Sequence, residues 1–281
     1  MMDDGLRCNT QRSHTGLSLE DFVRLTAGGI AGVAEPKGDF ALGVEALARS
    51  IREHGAELET LWGNRDSNPD FVRLAPTCAR LLLEQCLATV LGRLDPIRLV
   101  AIVRGSRSPD FKIGSRNNSS FSWAEDVLPN FKPGSNPLWS QQHLKVPCRG
   151  ILDGHLGDYL FGTPHDAVLD EVQAVIAGVG TLPEWLISLP KHEDGTRCLT
   201  TVRGKAEACY SILSKGMHFE FFKNHATKPT KDEIVRGIRD AILVASTCAL
   251  YSHFADISLL QIDKREAATI FVNLTTKFEC Q

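Results

Sequence analysis

The sequence predicts a mainly α protein: a C-terminal antiparallel helical bundle, further helices near the N-terminus, and between them an irregular, loop-rich insert with room for a few short strands. Three observations carry this expectation. Apolar residues recur at three- and four-residue spacing through most of the chain outside residues 93–150, which is the period of an amphipathic helix. Helix-start chemistry stands directly before such runs, most plainly in Thr230-Lys231-Asp232-Glu233, a capping box. Gly, Pro, Ser and Asn gather between Leu94 and Pro147, as in a long functional loop. Three parts follow: N-terminal helices over 1–92, the insert over 93–150, and the bundle over 151–281.

Taken in order, Ser18 is placed to cap a helix beginning Leu19-Glu20-Asp21-Phe22. Its acidic first turn complements the helix dipole, and the Gly28-Gly29 pair ends it. A second helix runs from Asp39 through Phe40, Val44, Leu47 and Ile51 to Gly55. The third, Pro76 to Gly92, carries Leu81, Leu82, Leu83, Cys86, Leu87, Val90 and Leu91. It is apolar over most of its circumference, which is the pattern of a central buried helix. Leu99-Val100-Ala101-Ile102-Val103 reads as a short strand. Thr163-Pro164-His165-Asp166 opens a helix with proline at its first position, continuing through Val168, Val172, Val175 and Ile176. After a break over 180–198 come three long helices. The first covers 199–223, with Leu199, Val202, Ala206, Cys209 and Leu213 in one stripe. The second starts at the capping box and continues through Ile234, Ile238, Ile242, Ala245 and Ala249, and the third covers 257–278 through Ile270, Phe271, Leu274 and Phe278. Short turns between long helices make them antiparallel neighbours.

Composition narrows the class without naming an activity. With 43% apolar and 23% charged residues in 281 positions, global disorder, a collagen and a small disulfide scaffold are excluded. The net charge of −3 excludes a polycation. The acidic start, Met1-Met2-Asp3-Asp4-Gly5, has no apolar signal region. No uninterrupted apolar run approaches the roughly 20 residues of a bilayer span, so no membrane contact is expected. The eight cysteines form no CxxC pair and no Cys/His cluster. They are expected to be reduced core thiols in a cytoplasmic protein rather than zinc ligands.

Charge is distributed unevenly. Residues 93–150 carry nine basic and four acidic groups, net +5, between a segment of net −4 (1–92) and one of net −6 (151–198). Arg93, Arg98, Arg104, Arg107, Lys112 and Arg116 fall within 24 residues, followed by Phe121, Trp123 and Phe131 among small polar residues. Guanidinium groups grip phosphates bidentately, and loop aromatics stack on unpaired bases. Arg98, Arg104, Arg107, Lys112, Arg116 and Trp123 are therefore the candidate nucleic-acid contacts. The same arginines also suit the acidic 151–198 segment, a protein partner or a second copy of the chain.

Motifs for nucleotide, dinucleotide, esterase and zinc-protease chemistry (a Walker loop, GxGxxG, GxSxG and HExxH) are absent, so neither a cofactor nor a metal site is expected. Two nuclease patterns are present. Asp110-Phe111-Lys112 supplies a D-x-K element with Asp95 upstream, a set that in metal-dependent nucleases holds the ion and activates water. Glu84 lies on the preceding helix as an isolated polar residue. The arginine–x4–6–histidine pattern occurs at Arg7/His14, Arg49/His54 and Arg149/His155, where chance alone gives about two matches.

The stretch Arg203-Gly204-Lys205-Ala206-Glu207-Ala208-Cys209-Tyr210-Ser211-Ile212-Leu213-Ser214-Lys215-Gly216-Met217-His218-Phe219-Glu220 resembles a helix of the HEPN-like domains found in prokaryotic toxin and phage-defence proteins. The resemblance covers the last third of the chain. It implies a helical bundle with Ser214 and His218 as candidate catalytic residues. No arginine stands four to six residues before His218, so a non-catalytic binding module fits it equally. Arg203, Glu207, Tyr210, Ser214 and His218 form one polar stripe, which also suits a solvated face with an Arg203–Glu207 pair. The expected function is a nucleic-acid- or partner-binding subunit of a larger prokaryotic, defence-related assembly; the alternatives are a nuclease and a structural adaptor.

Overall fold

A computed structural model describes residues 18–31, 37–109, 167–180, 196–217 and 229–279. Among these are eight α-helices and no strand: α1 (Leu19–Ala27), α2 (Asp39–Gly63), α3 (Phe71–Leu94), α4 (Pro96–Ser106), α5 (Leu169–Ala177), α6 (Thr196–Met217), α7 (Lys231–Ser252) and α8 (Lys264–Glu279). The mainly α class is correct. A single 3-10 turn, Gly28–Ile30, follows α1.

The centre is a pair of long helices, α3 and α7, packed on each other. Around α3 lie α1, α2, α4 and α6; around α7 lie α1, α6 and α8, with α5 packed on α8. The reason is in the residues. Ala79, Leu82, Leu83, Cys86, Leu87, Val90 and Leu91 of α3 are all buried, as its nearly continuous apolar circumference requires. On α7, Ile234, Ile238, Ala241, Ile242, Ala245 and Ala249 are buried at helical spacing. Its start is the expected capping box: the Glu233 N–H donates to Thr230 Oγ1 (3.2 Å) and the Thr230 N–H to Glu233 Oε2 (2.7 Å). Helices from residues 1–92 and from 151–281 thus share one apolar core. α3 has the length and apolarity of a bilayer span, but 67% of that stretch is buried inside the protein, as befits a core helix.

Four elements differ from expectation, the first being α3, which begins at Phe71 rather than Pro76 and carries Pro76 inside it. α2 does not stop at Gly55 but runs to Gly63. Gly55 is retained inside the helix because Leu19 of α1 packs there: a Cβ on Gly55 would stand 2.3 Å from Leu19 Cδ1. The expected strand Leu99–Val103 is helix α4. Asp95 caps it and Pro96 occupies its first turn, so the Asp-Pro pair both ends α3 and starts α4. Leu99, 2% exposed, fills a slot left by two glycines, since a Cβ on Gly92 or Gly43 would come within 2.9 or 3.0 Å of its side chain. Finally, α8 begins at Lys264 rather than 257, and residues 253–263 form a turn-rich connection. Ser18 precedes α1, but its hydroxyl makes no cap hydrogen bond. The expected start at Thr163-Pro164 lies outside the described residues.

Candidate anion-binding face

α4 sorts the arginines of the basic segment into different environments. At its start, the Asp95 carboxylate accepts the Arg98 backbone N–H (3.1 Å) and pairs with the Arg98 guanidinium (3.5 Å). Asp95, a candidate metal-holding acid, is thus committed to capping. Arg98, a candidate nucleic-acid contact, has a side chain only 11% exposed and adds little to the outer surface.

One helical turn and more further on, the picture reverses. Arg104 and Arg107 project from the end of α4 with side chains 73% and 57% exposed. Both reach the same acid. Arg104 Nε donates to Asp39 Oδ2 (2.7 Å) and Arg107 Nη1 to Asp39 Oδ1 (3.3 Å). Asp39 is the first residue of α2, and it lies across from the end of α4 because the two helices pack antiparallel through Gly43, Leu99 and Val103. The hydrogen bond from Arg104, with the charges of both arginines, holds the Asp39 carboxyl below its ordinary range. Two guanidiniums on one carboxylate leave a surplus positive charge at the surface. Exposed guanidiniums of this kind suit a doubly oxygenated anion such as a phosphodiester.

Arg93, expected to belong to the same basic surface, is instead 0% exposed. It ends α3 and turns into the protein, where three helix C-termini meet. Its guanidinium donates to the Leu259 carbonyl (2.9 Å), the Thr26 carbonyl near the end of α1 (3.0 Å) and Ser252 Oγ at the end of α7 (2.9 Å). A fourth donor reaches His253 Nδ1 (3.1 Å). His253 Nδ1 also accepts the Ile262 N–H (3.1 Å) while Nε2 lies 2.7 Å from the Leu25 carbonyl, so the proton sits on Nε2. Burial and the Arg93 charge push the imidazole down to about 3, and burial lowers Arg93 to about 9. At neutral pH the pair is therefore a charged arginine and an uncharged histidine. The negative ends of the helix dipoles supply the compensation. Leu260 beside them takes a left-handed φ of 57°, its carbonyl accepting the Gly29 N–H (2.8 Å). Gly28, φ 67°, must lack a side chain because a Cβ would stand 1.9 Å from that oxygen. This cluster is structural in its contacts. Sequence reasoning missed it because nothing about Arg93 in the chain distinguishes it from its exposed neighbours.

The polar stripe of α6 is only partly solvated. Arg203 and Glu207 form the expected pair (3.2 Å). Tyr210, by contrast, packs against α3: its hydroxyl donates to Glu84 Oε1 (3.0 Å) and accepts from Arg80 Nη2 (2.8 Å), while Arg80 Nε donates to Glu84 Oε1 (2.9 Å). Glu84 is therefore not isolated. The Ser214 hydroxyl donates back to the Tyr210 carbonyl (2.6 Å). His218, Asp110, Lys112, Arg116 and Trp123 lie outside the described residues. No group of three or more His, Cys, Asp or Glu side chains is arranged to hold a metal ion among the described residues. Cys78, Cys86, Cys209 and Cys248 are buried and form no disulfide. Burial raises the pKa of each thiol, which leaves them poor nucleophiles.

No protein-family model, curated protein or solved structure matches this chain.

Proposed function

We propose that this protein binds nucleic acid through the outer face of α4 and the basic residues that follow it in sequence, Lys112 and Arg116, with Trp123 as a stacking group. It would act as a subunit of a larger prokaryotic assembly, in the reducing cytosol that its buried free thiols suit. The observation that carries this is the pair Arg104 and Arg107, both exposed and sharing one carboxylate. Such a surplus is what phosphate contact uses, and affinity built from it falls with salt at about 0.7 decades per decade for each phosphate neutralised on a single strand.

The test is titration of a short fluorescein-labelled single-stranded RNA and of the matching DNA by fluorescence anisotropy at several salt concentrations. Steep salt dependence is expected in the wild type, with loss of binding in the triple charge reversal R104E/R107E/R116E. The neutral set R104Q/R107Q/R116Q should weaken it by at least about tenfold. Salt-independent or undetectable binding overturns the reading. Cleavage of the probe would point to a nuclease instead, chelator-sensitive if Asp95, Asp110 and Lys112 act, and chelator-insensitive if Ser214 and His218 do.

A specific observation also favours a protein-adaptor role. Ile97, Ile257 and Leu259 are 82%, 54% and 44% exposed, and the Leu259 N–H donates to the Arg93 carbonyl (2.9 Å), which holds one of these apolar side chains near the α3–α4 corner. Copurification of a fixed protein partner without nucleic acid would favour that role.

A further inference from the structure

We infer that Asp39 is an internal stand-in for phosphate, a displaceable carboxylate that occupies Arg104 and Arg107 until a phosphodiester backbone takes its place; the inference rests on the nucleic-acid reading above. Four features of the contact carry it. Its two oxygens each take a different guanidinium, at 2.7 and 3.3 Å, which is the way one phosphodiester bridges two arginines. The partners come from different helices, 65 and 68 residues apart in sequence, so the contact is not a local consequence of helical spacing. The arginines are exposed enough to exchange partners, and exposed ion pairs are weak enough to be exchanged. The released carboxylate would not be stranded. The Asp39 side chain is already 26% exposed, and it sits in the first turn of α2, where the helix dipole favours a negative charge.

The arrangement sets affinity by competition. A backbone phosphate that is to bridge both arginines through the donors Asp39 now holds, Arg104 Nε and Arg107 Nη1, must displace it, so isolated phosphates compete poorly. A polyanion that also engages other basic residues competes well. Salt weakens both contacts, but it weakens the intramolecular pair without any gain in released counterions. The difference between a protein with Asp39 and one without it should therefore narrow as salt rises.

The experiment uses full-length protein and the same labelled single-stranded RNA. Asp39→Asn keeps the size of the side chain and a helix-start residue while removing the charge. Glu207→Gln is the control, since it removes one negative charge from another exposed arginine pair. At low salt, D39N should bind about two- to fivefold more tightly than wild type, E207Q should match wild type, and the D39N gain should shrink toward unity at high salt. Circular dichroism checks that both variants keep the wild-type helix content. Equal gains in D39N and E207Q would overturn the inference, because net charge alone would then explain them. Unchanged affinity in D39N, with R104Q/R107Q still weakening binding, would overturn it while leaving the nucleic-acid reading intact. Failure of wild type, D39N and E207Q alike to bind at low salt would remove the nucleic-acid reading and this inference together.

Discussion

The guanidinium of Arg93 shows how a lone charge is carried inside an apolar core without a carboxylate. Each of its three nitrogens meets a backbone carbonyl, a hydroxyl or an imidazole nitrogen, and burying it unpaired would cost several kcal/mol. His253 is the residue through which acid reaches this cluster. Its Nδ1 faces two donors, the Ile262 N–H and Arg93 Nη2, so an added proton would find no acceptor there. The folded imidazole is held at about 3, against 6.5 for an ordinary histidine. Between those values the unfolded chain takes up a proton that the folded chain refuses, and stability therefore falls as pH drops below about 6.5. The slope from this one group approaches about 1.4 kcal/mol per pH unit. Urea denaturation at pH 7 and at pH 5 should show that loss in the wild type. His253→Gln, which keeps a donor and an acceptor but no titrating nitrogen, should lose much less between the same two conditions. Carboxylates titrate mostly below this window, so equal losses in the two proteins would refute the assignment.

At the scale of elements, α4 is held by shape. Leu99 enters the slot formed by Gly43 of α2 and Gly92 of α3, and no larger residue fits at either glycine without moving it. Leu99→Ala should destabilise the fold by about 3 kcal/mol, read from chemical denaturation, while a substitution at exposed Ile97 on the same helix should cost little. Much of the helical pattern was legible in the sequence: the buried stripe of α6 through Val202, Ala206, Cys209 and Leu213, the broad buried face of α3 and the capping box of α7 follow from spacing and cap chemistry alone. Where reading failed, the deciding contact was tertiary. Leu99-Val100-Ala101-Ile102-Val103 has the β-branched composition of a strand, yet a cap at Asp95 and the two-glycine slot make it a helix. Gly55 looks like a helix end until Leu19 is seen to need its missing side chain. The candidate face was half legible. The excess of arginine near α4 was visible as net charge, but charge counting could not tell buried Arg93 from exposed Arg104, nor find Asp39 far away in the chain.

For the molecule as a whole, α3 and α7 tie the early and late parts of the chain into one core, with α1 packed on both of them and on α8. Hydrogen exchange followed by mass spectrometry should therefore find peptides from Leu82–Leu91 and Ala241–Leu250 sharing the slowest rates, those of global unfolding. A central α3 that exchanges well before α7 would indicate two independently opening units instead. The Arg93 cluster adds an order of events to this interdependence. Its acceptors Ser252 and Leu259 lie 159 and 166 residues further along the chain. During synthesis α1, α2 and α3 emerge first, but the guanidinium at the end of α3 cannot be stripped of water until those late residues arrive. The N-terminal helices can collapse on one another beforehand, yet their shared lower end must stay hydrated and open. Closure waits until residues 252 to 259 have left the ribosome, so a chain cut short before residue 252 keeps a wet, unfinished core.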